Sequence, residues 1–127
     1  MSDWKYFTEN ELRCSGTGDC HMDKNFMFKL NKLREDYNKP MIVSSGYRDI
    51  SYNTAIGGSP NSAHTYGKAV DIVTGGTEAY RLLRLAVIHG FQGIGVSQRG
   101  NFERRFIHLD TMDNSDKHPR PWVWSYK

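Results

Sequence analysis

The feature that most constrains this 127-residue chain is the placing of ionisable groups inside two of its β-type runs. Residues 68–73 and 105–110 read as short, largely buried strands, yet they carry Asp71, His108 and Asp110, and His64 stands just ahead of the first. Burying an unpaired charge costs several kcal/mol, so these residues need partners, and a bound cation would satisfy several at once. Seven extended residues span about 23 Å, far more than the roughly 4 Å between neighbouring ligands of one metal. The chain must therefore reverse between His64 and Asp71, and Tyr66-Gly67 is placed to do so, because glycine accepts a positive φ. Period-two alternation puts Phe106, His108 and Asp110 on one strand face and Ile107 and Leu109 on the other. Singly, His64 could cap a loop, Asp71 could pair with an arginine and His108 could be a hydrogen-bonded core histidine. Together they offer two nitrogens and one oxygen, the ligand count of a catalytic zinc site that keeps a position for water.

The rest of the chain supplies a scaffold. Thr8 and Glu11 form a capping box, with Phe7 and Leu12 at the staple positions, so a short helix is expected there, ended by Gly16 and Gly18. A second helix is expected from Asp23, with Phe26, Leu30, Leu33 and Tyr37 along one face and Asn38-Lys39-Pro40 as its stop. Residues 41–44 read as a strand and 46–67 as a long functional loop rich in Gly, Ser, Asn and Tyr. A third helix, capped by Thr77 and ending at Gly90, and a strand over Gly93–Ser97 follow. In the tail, Trp122, Trp124 and Tyr126 alternate, which reads as an aromatic clamp against the domain or as a face for stacking a ligand. These elements are not regularly βαβ, and the fold class expected is α+β, a small antiparallel sheet with flanking helices in one domain spanning 1–127.

The net charge of +3 is made of interleaved cations and acids, as in Arg34-Glu35-Asp36, which argues against nucleic acid as a partner. No run reaches the roughly 18 apolar residues that cross a bilayer, and stable membrane association is not expected. The N-terminus lacks the order of a secretory signal, so a product first held in the cytoplasm is expected, and nothing demands more than a monomer. Cys14 and Cys20 are too few for a disulfide scaffold, and with His21 they lack a fourth metal ligand at standard spacing.

Several motifs follow one another in an order that resembles the M15 metallopeptidases. They are Ser45-Gly46-Tyr47-Arg48, Asn53 with Gly57-Gly58, the Ser62-x-His64-x2-Gly67-x-Ala69-x-Asp71-Ile72 element, and His108-x-Asp110. That group includes zinc D-Ala-D-Ala carboxypeptidases and the L-alanyl-D-glutamate endopeptidases of phage endolysins. The resemblance runs over residues 40–127, with helices like those of small phage and bacterial members upstream. It implies the fold shared by hedgehog domains and D-Ala-D-Ala peptidases, Zn2+ held by His64, Asp71 and His108, and a peptidoglycan peptide as substrate. It also implies that Arg48 grips or polarises a substrate carboxylate or carbonyl, a task suited to its planar fork of donors.

One position departs from the pattern. Many members carry a catalytic Asp or Glu three residues before the last histidine ligand, and here Arg105 stands there. Asp110 is the first candidate to replace that base and Glu103 the second, while Asp110 is equally suited to orienting a ligand imidazole. Ser45, Ser62 and Tyr47 are candidate substrate contacts, and Tyr52 and Tyr66 could line the groove. The expected function is a zinc peptidase of the peptidoglycan stem or cross-link, of the phage endolysin kind and first held in the host cytoplasm. The alternative is a non-catalytic zinc-containing module that binds wall peptides.

Overall fold

A computed structural model describes residues 4–126. Its elements in chain order are α1 (Glu9–Leu12), α2 (Lys24–Tyr37), β1 (Ile42–Ser45), α3 (Ile50–Ala55), β2 (Ala69–Val73), α4 (Gly76–Ile88), β3 (Gly93–Ser97), β4 (Phe106–Asp110) and β5 (Trp122–Ser125), with single 3₁₀ turns at Ala63–Tyr66 and Phe102–Arg104. The strands form one sheet in the order β1-β2-β4-β3-β5. Three of its pairs are antiparallel, and β5 runs parallel to β3. The α+β class stands, but the sheet is mixed: the alternating tail is its edge strand as well as an aromatic wall.

Alternation along the strands divides the sheet into two chemically opposite faces. Val70, Ile72, Ile94, Ile107 and Leu109 point to the side covered by α2 and α4, where Phe26, Leu30, Leu33, Leu82 and Ala86 meet them in one buried core. Each fully buried side chain of this size contributes about 1.5–3 kcal/mol against exposure. The side chain of Asp23 accepts Phe26 N–H at 2.9 Å to start α2, and Asn38, in the left-handed region at φ 56°, ends it. The Thr8 capping box is formed as expected around α1, with Phe7 and Leu12 both buried.

Helix α4 differs from its expected start. The Gly75 carbonyl accepts Ala79 N–H, so the helix begins at Gly76 and Thr77 lies inside its first turn. The segment 46–67 is also more ordered than a loop, holding α3 and the 3₁₀ turn. Asn53 is the one buried residue of α3, so no apolar periodicity marks that helix in the sequence.

The second face carries Asp71, Phe106, His108 and Asp110, and two glycines of β3 make room there. A Cβ on Gly93 would lie 2.2 Å from Asp110 Oδ1, and one on Gly95 would lie 2.7 Å from Trp124 Nε1. Gly93 is registered opposite Asp110, and Gly95 lies between His108 and Trp124. These absent side chains let a carboxylate and an indole lie flat on the sheet.

Candidate metal centre

The chain reverses where the sequence places the turn. Gly67, at φ 71°, closes the 3₁₀ turn, and a Cβ there would lie 2.0 Å from the His21 carbonyl. Ser62 starts the same turn by accepting His64 N–H at 3.3 Å. The reversal carries His64 back over β2, while the sheet register sets Asp71 directly opposite His108. As a result His64 Nε2 lies 3.3 Å and His108 Nδ1 3.1 Å from Asp71 Oδ1. The three donor atoms fall within 4.8 Å of one another, and all three residues are buried.

The outer nitrogens of the two rings assign the protons. His64 Nδ1 donates to the Gly46 carbonyl at 2.7 Å, and His108 Nε2 donates to Asp110 Oδ2 at 2.7 Å. Both inward nitrogens then present lone pairs to a carboxylate oxygen. Three acceptors facing one another at this distance repel unless a cation stands among them, so the donor set fits a divalent ion such as zinc. Burial alone would raise the Asp71 carboxyl; His64 and His108 draw it well below the usual carboxylate range only when their inward nitrogens carry protons, a state that a bound cation would replace.

Asp110 occupies the orienting role. It is completely buried, and Arg120 grips it with two bonds, Nε to Oδ1 at 2.9 Å and Nη2 to Oδ2 at 2.8 Å. Met112 N–H adds a third at 3.2 Å. Burial raises the carboxyl's pKa, but the bonds from His108 and Arg120 prevail and bring it down to about 2. Asp110 lines the cavity over the triad, but with both oxygens engaged and no surface exposed its geometry favours the second of its two expected roles, orienting His108. Glu103, the second candidate, is exposed on the 3₁₀ turn before β4 and is absent from the lining of the cavity over the triad. Arg105, at the usual position of the acid, turns its Nε to the Gly100 carbonyl at 2.9 Å and also lies outside that lining.

Arg48 reaches the triad, with its Nη2 3.8 Å from Asp71 Oδ2. Its Nε donates to Ser45 Oγ at 3.1 Å and its Nη1 to Asn53 Oδ1 at 2.9 Å, and Asn53 Nδ2 in turn holds the Ser59 carbonyl at 2.9 Å. Ser45 thus positions Arg48. Ser62 lines the cavity over the triad, whereas Tyr47 lies outside that lining, donating its hydroxyl to Asp49 at 3.0 Å. Tyr52 also lies outside it. Tyr66 is half exposed and packs edge-on against His118, their ring centroids 6.0 Å apart.

Three further groups complete this site: Arg120 and His118, to which the sequence alone assigns no role, and Asn53, which it presents only as part of a motif. Arg120 anchors Asp110 and lies over Trp124, whose ring is 5.1 Å from that of His108. Asn53 ties Arg48 to the loop at Ser59. His118 lines the cavity and donates Nε2–H to the Asn61 carbonyl at 2.6 Å. An arginine between two prolines, as in Pro119-Arg120-Pro121, is the one local cue, since such a side chain is held in a stiff segment. Cys14 and Cys20 are free thiols, and among the described residues neither belongs to a metal-capable group. The open cavity over the triad measures about 670 Å³.

A sequence profile described as Peptidase M15 matches residues 5–110. The chain belongs to the M15 peptidase family. Over 69 residues it is 38% identical to the zinc D-Ala-D-Ala carboxypeptidase of Streptomyces albus G. The match covers 54% of this M15 chain but only 27% of that relative.

Proposed function

We propose that this chain is a zinc-dependent peptidase that hydrolyses a peptide bond in the stem or cross-link of bacterial peptidoglycan. The observation that carries the reading is the convergence of His64 Nε2, Asp71 Oδ1 and His108 Nδ1, with both ring N–H groups tied outward, beside the fixed guanidinium of Arg48. The name of the Streptomyces relative supports the choice of metal and of wall peptide. An endolysin setting is the biological context we assign, in keeping with the weakly basic chain and an anionic wall.

His64, Asp71 and His108 would hold the zinc ion, which when bound would supply an acidified water and polarisation of the substrate carbonyl. Arg48, held by Ser45 and Asn53, presents its remaining N–H groups to the substrate carbonyl or carboxylate. Asp110 keeps the proton of His108 on Nε2, so Nδ1 stays a ligand. Trp124, Tyr126 and Phe106 form the apolar wall along which the peptide lies. His118 supplies the proton-accepting atom: its Nε2–H is occupied by Asn61, which leaves the lone pair on Nδ1.

The test is mass spectrometry of muropeptides after digestion with the zinc-loaded protein, with chelated protein and His64→Ala as controls. Loss of a terminal alanine identifies a carboxypeptidase, and scission between L-Ala and D-Glu an endopeptidase. Both oxygens of Asp110 being engaged favours the second reading, a wall-peptide binder; one zinc per chain with no released amino groups would establish it over the enzyme.

A further inference from the structure

A second cavity, of about 510 Å³, lies between the segment after α1 and the outer edge of β1. Arg48 and Ile56 line both this cavity and the one over the triad, so the two are neighbouring compartments of one groove separated by the Arg48 side chain. The position suits an extended chain: among the described residues β1 is an edge strand of the sheet, and Ser44 and Tyr52 face the same space.

Its charges are unequal. Glu11 lines it, but one carboxylate oxygen already accepts Thr8 N–H at 3.3 Å in the capping box. Arg13 is exposed and, among the described residues, makes no ion pair or side-chain hydrogen bond. Arg48, at the shared wall, is the second guanidinium. A compartment bordered by two arginines and one engaged carboxylate favours an anionic occupant.

We infer that this second cavity seats the acidic segment of the peptide substrate, the stretch running away from the scissile bond, and that Arg13 grips its carboxylate. The inference rests on the peptidase reading and extends it: the cavity over the triad cuts, and the compartment beyond Arg48 selects.

The probes are two synthetic pentapeptides ending in D-Ala-D-Ala, identical except that one carries glutamate and the other glutamine at its second position. For the zinc-loaded wild type, the glutamate peptide should show a KM roughly three- to tenfold lower than its amide twin, and Arg13→Gln should erase that preference. Amide chemical shifts at low temperature should move at residues 10–15 and 43–47 as well as around the triad. Equal KM values for the wild type, a preference that survives Arg13→Gln, or shifts confined to the triad would overturn the inference and leave the peptidase reading intact. Absence of cleavage and of shifts in both compartments would bring down both.

Discussion

Replacing Asp110 by Asn separates two roles for this carboxylate, because a proton acceptor and an anchor for His108 fail in different ways. Asparagine keeps the shape but turns one acceptor oxygen into a donor. If its oxygen stays with Arg120 and Met112, its amide hydrogens face His108 Nε2; the ring must then carry its proton on Nδ1, where the metal belongs. If it flips, its hydrogens meet those of Arg120 Nε and Met112 N. Either way a guanidinium whose side chain is 7% exposed loses its counter-charge. Breaking a buried pair by removing one partner costs about 3–5 kcal/mol.

A second route to the magnitude agrees in order. The carboxyl is drawn from its ordinary 3.8 to about 2, which corresponds to roughly 2 kcal/mol of native stability at neutral pH. Because the folded pKa is the depressed one, that contribution is fully present above about pH 4 and is lost as pH falls through about 2. Urea unfolding of the metal-free proteins at pH 7 should therefore show Asp110→Asn less stable by about 2–4 kcal/mol. Competition against a chromophoric chelator should show zinc bound about 10–100-fold more weakly. A variant with wild-type stability and zinc affinity but no turnover would refute the anchoring argument and make Asp110 the base.

Three further substitutions probe the neighbours. Arg48→Lys should lower kcat/KM by about 100-fold with zinc stoichiometry unchanged, since an ammonium cannot serve Ser45, Asn53 and substrate from one plane. Gly93→Ala should cost about 1–3 kcal/mol in thermal or urea unfolding and weaken zinc binding, because the new methyl displaces the Asp110 carboxylate. His118→Ala should reduce kcat about 100-fold and change the pH–rate profile while a zinc titration stays as in the wild type; an unaltered profile would remove His118 from the proton path.

Much of this site was legible because two periodicities cross there. Alternation along β4 placed His108 and Asp110 on one face, and a glycine at 67 was the natural point for the chain to turn back on β2. What escaped depends on partners remote in sequence. The helix α3 buries only Asn53, a polar residue whose value lies in Arg48 and Ser59, so no hydrophobic stripe reveals it. The tail shows its alternation plainly, but its parallel pairing with β3 depends on the space left at Gly93 and Gly95, which local sequence does not connect with the tail. Arg120 reaches Asp110 across a segment with no regular period, so local sequence alone does not distinguish a base from an anchor at Asp110.

The same reasoning explains how a sheet this small tolerates so polar a face. Asp71, His64 and His108 crowd three acceptor atoms together, an arrangement that opposes folding when no cation is bound. Offsetting it on the other side of the same strands is a continuous apolar layer, in which Val70 and Ile72 alternate with Asp71 and Ile107 and Leu109 alternate with His108. Each strand thus buries hydrocarbon against α2 and α4 with every second residue, and this holds the intervening ligands in register before any metal arrives. Arg120 completes the arrangement by neutralising Asp110, so the one carboxylate that cannot reach the metal is not left as an unpaired buried charge.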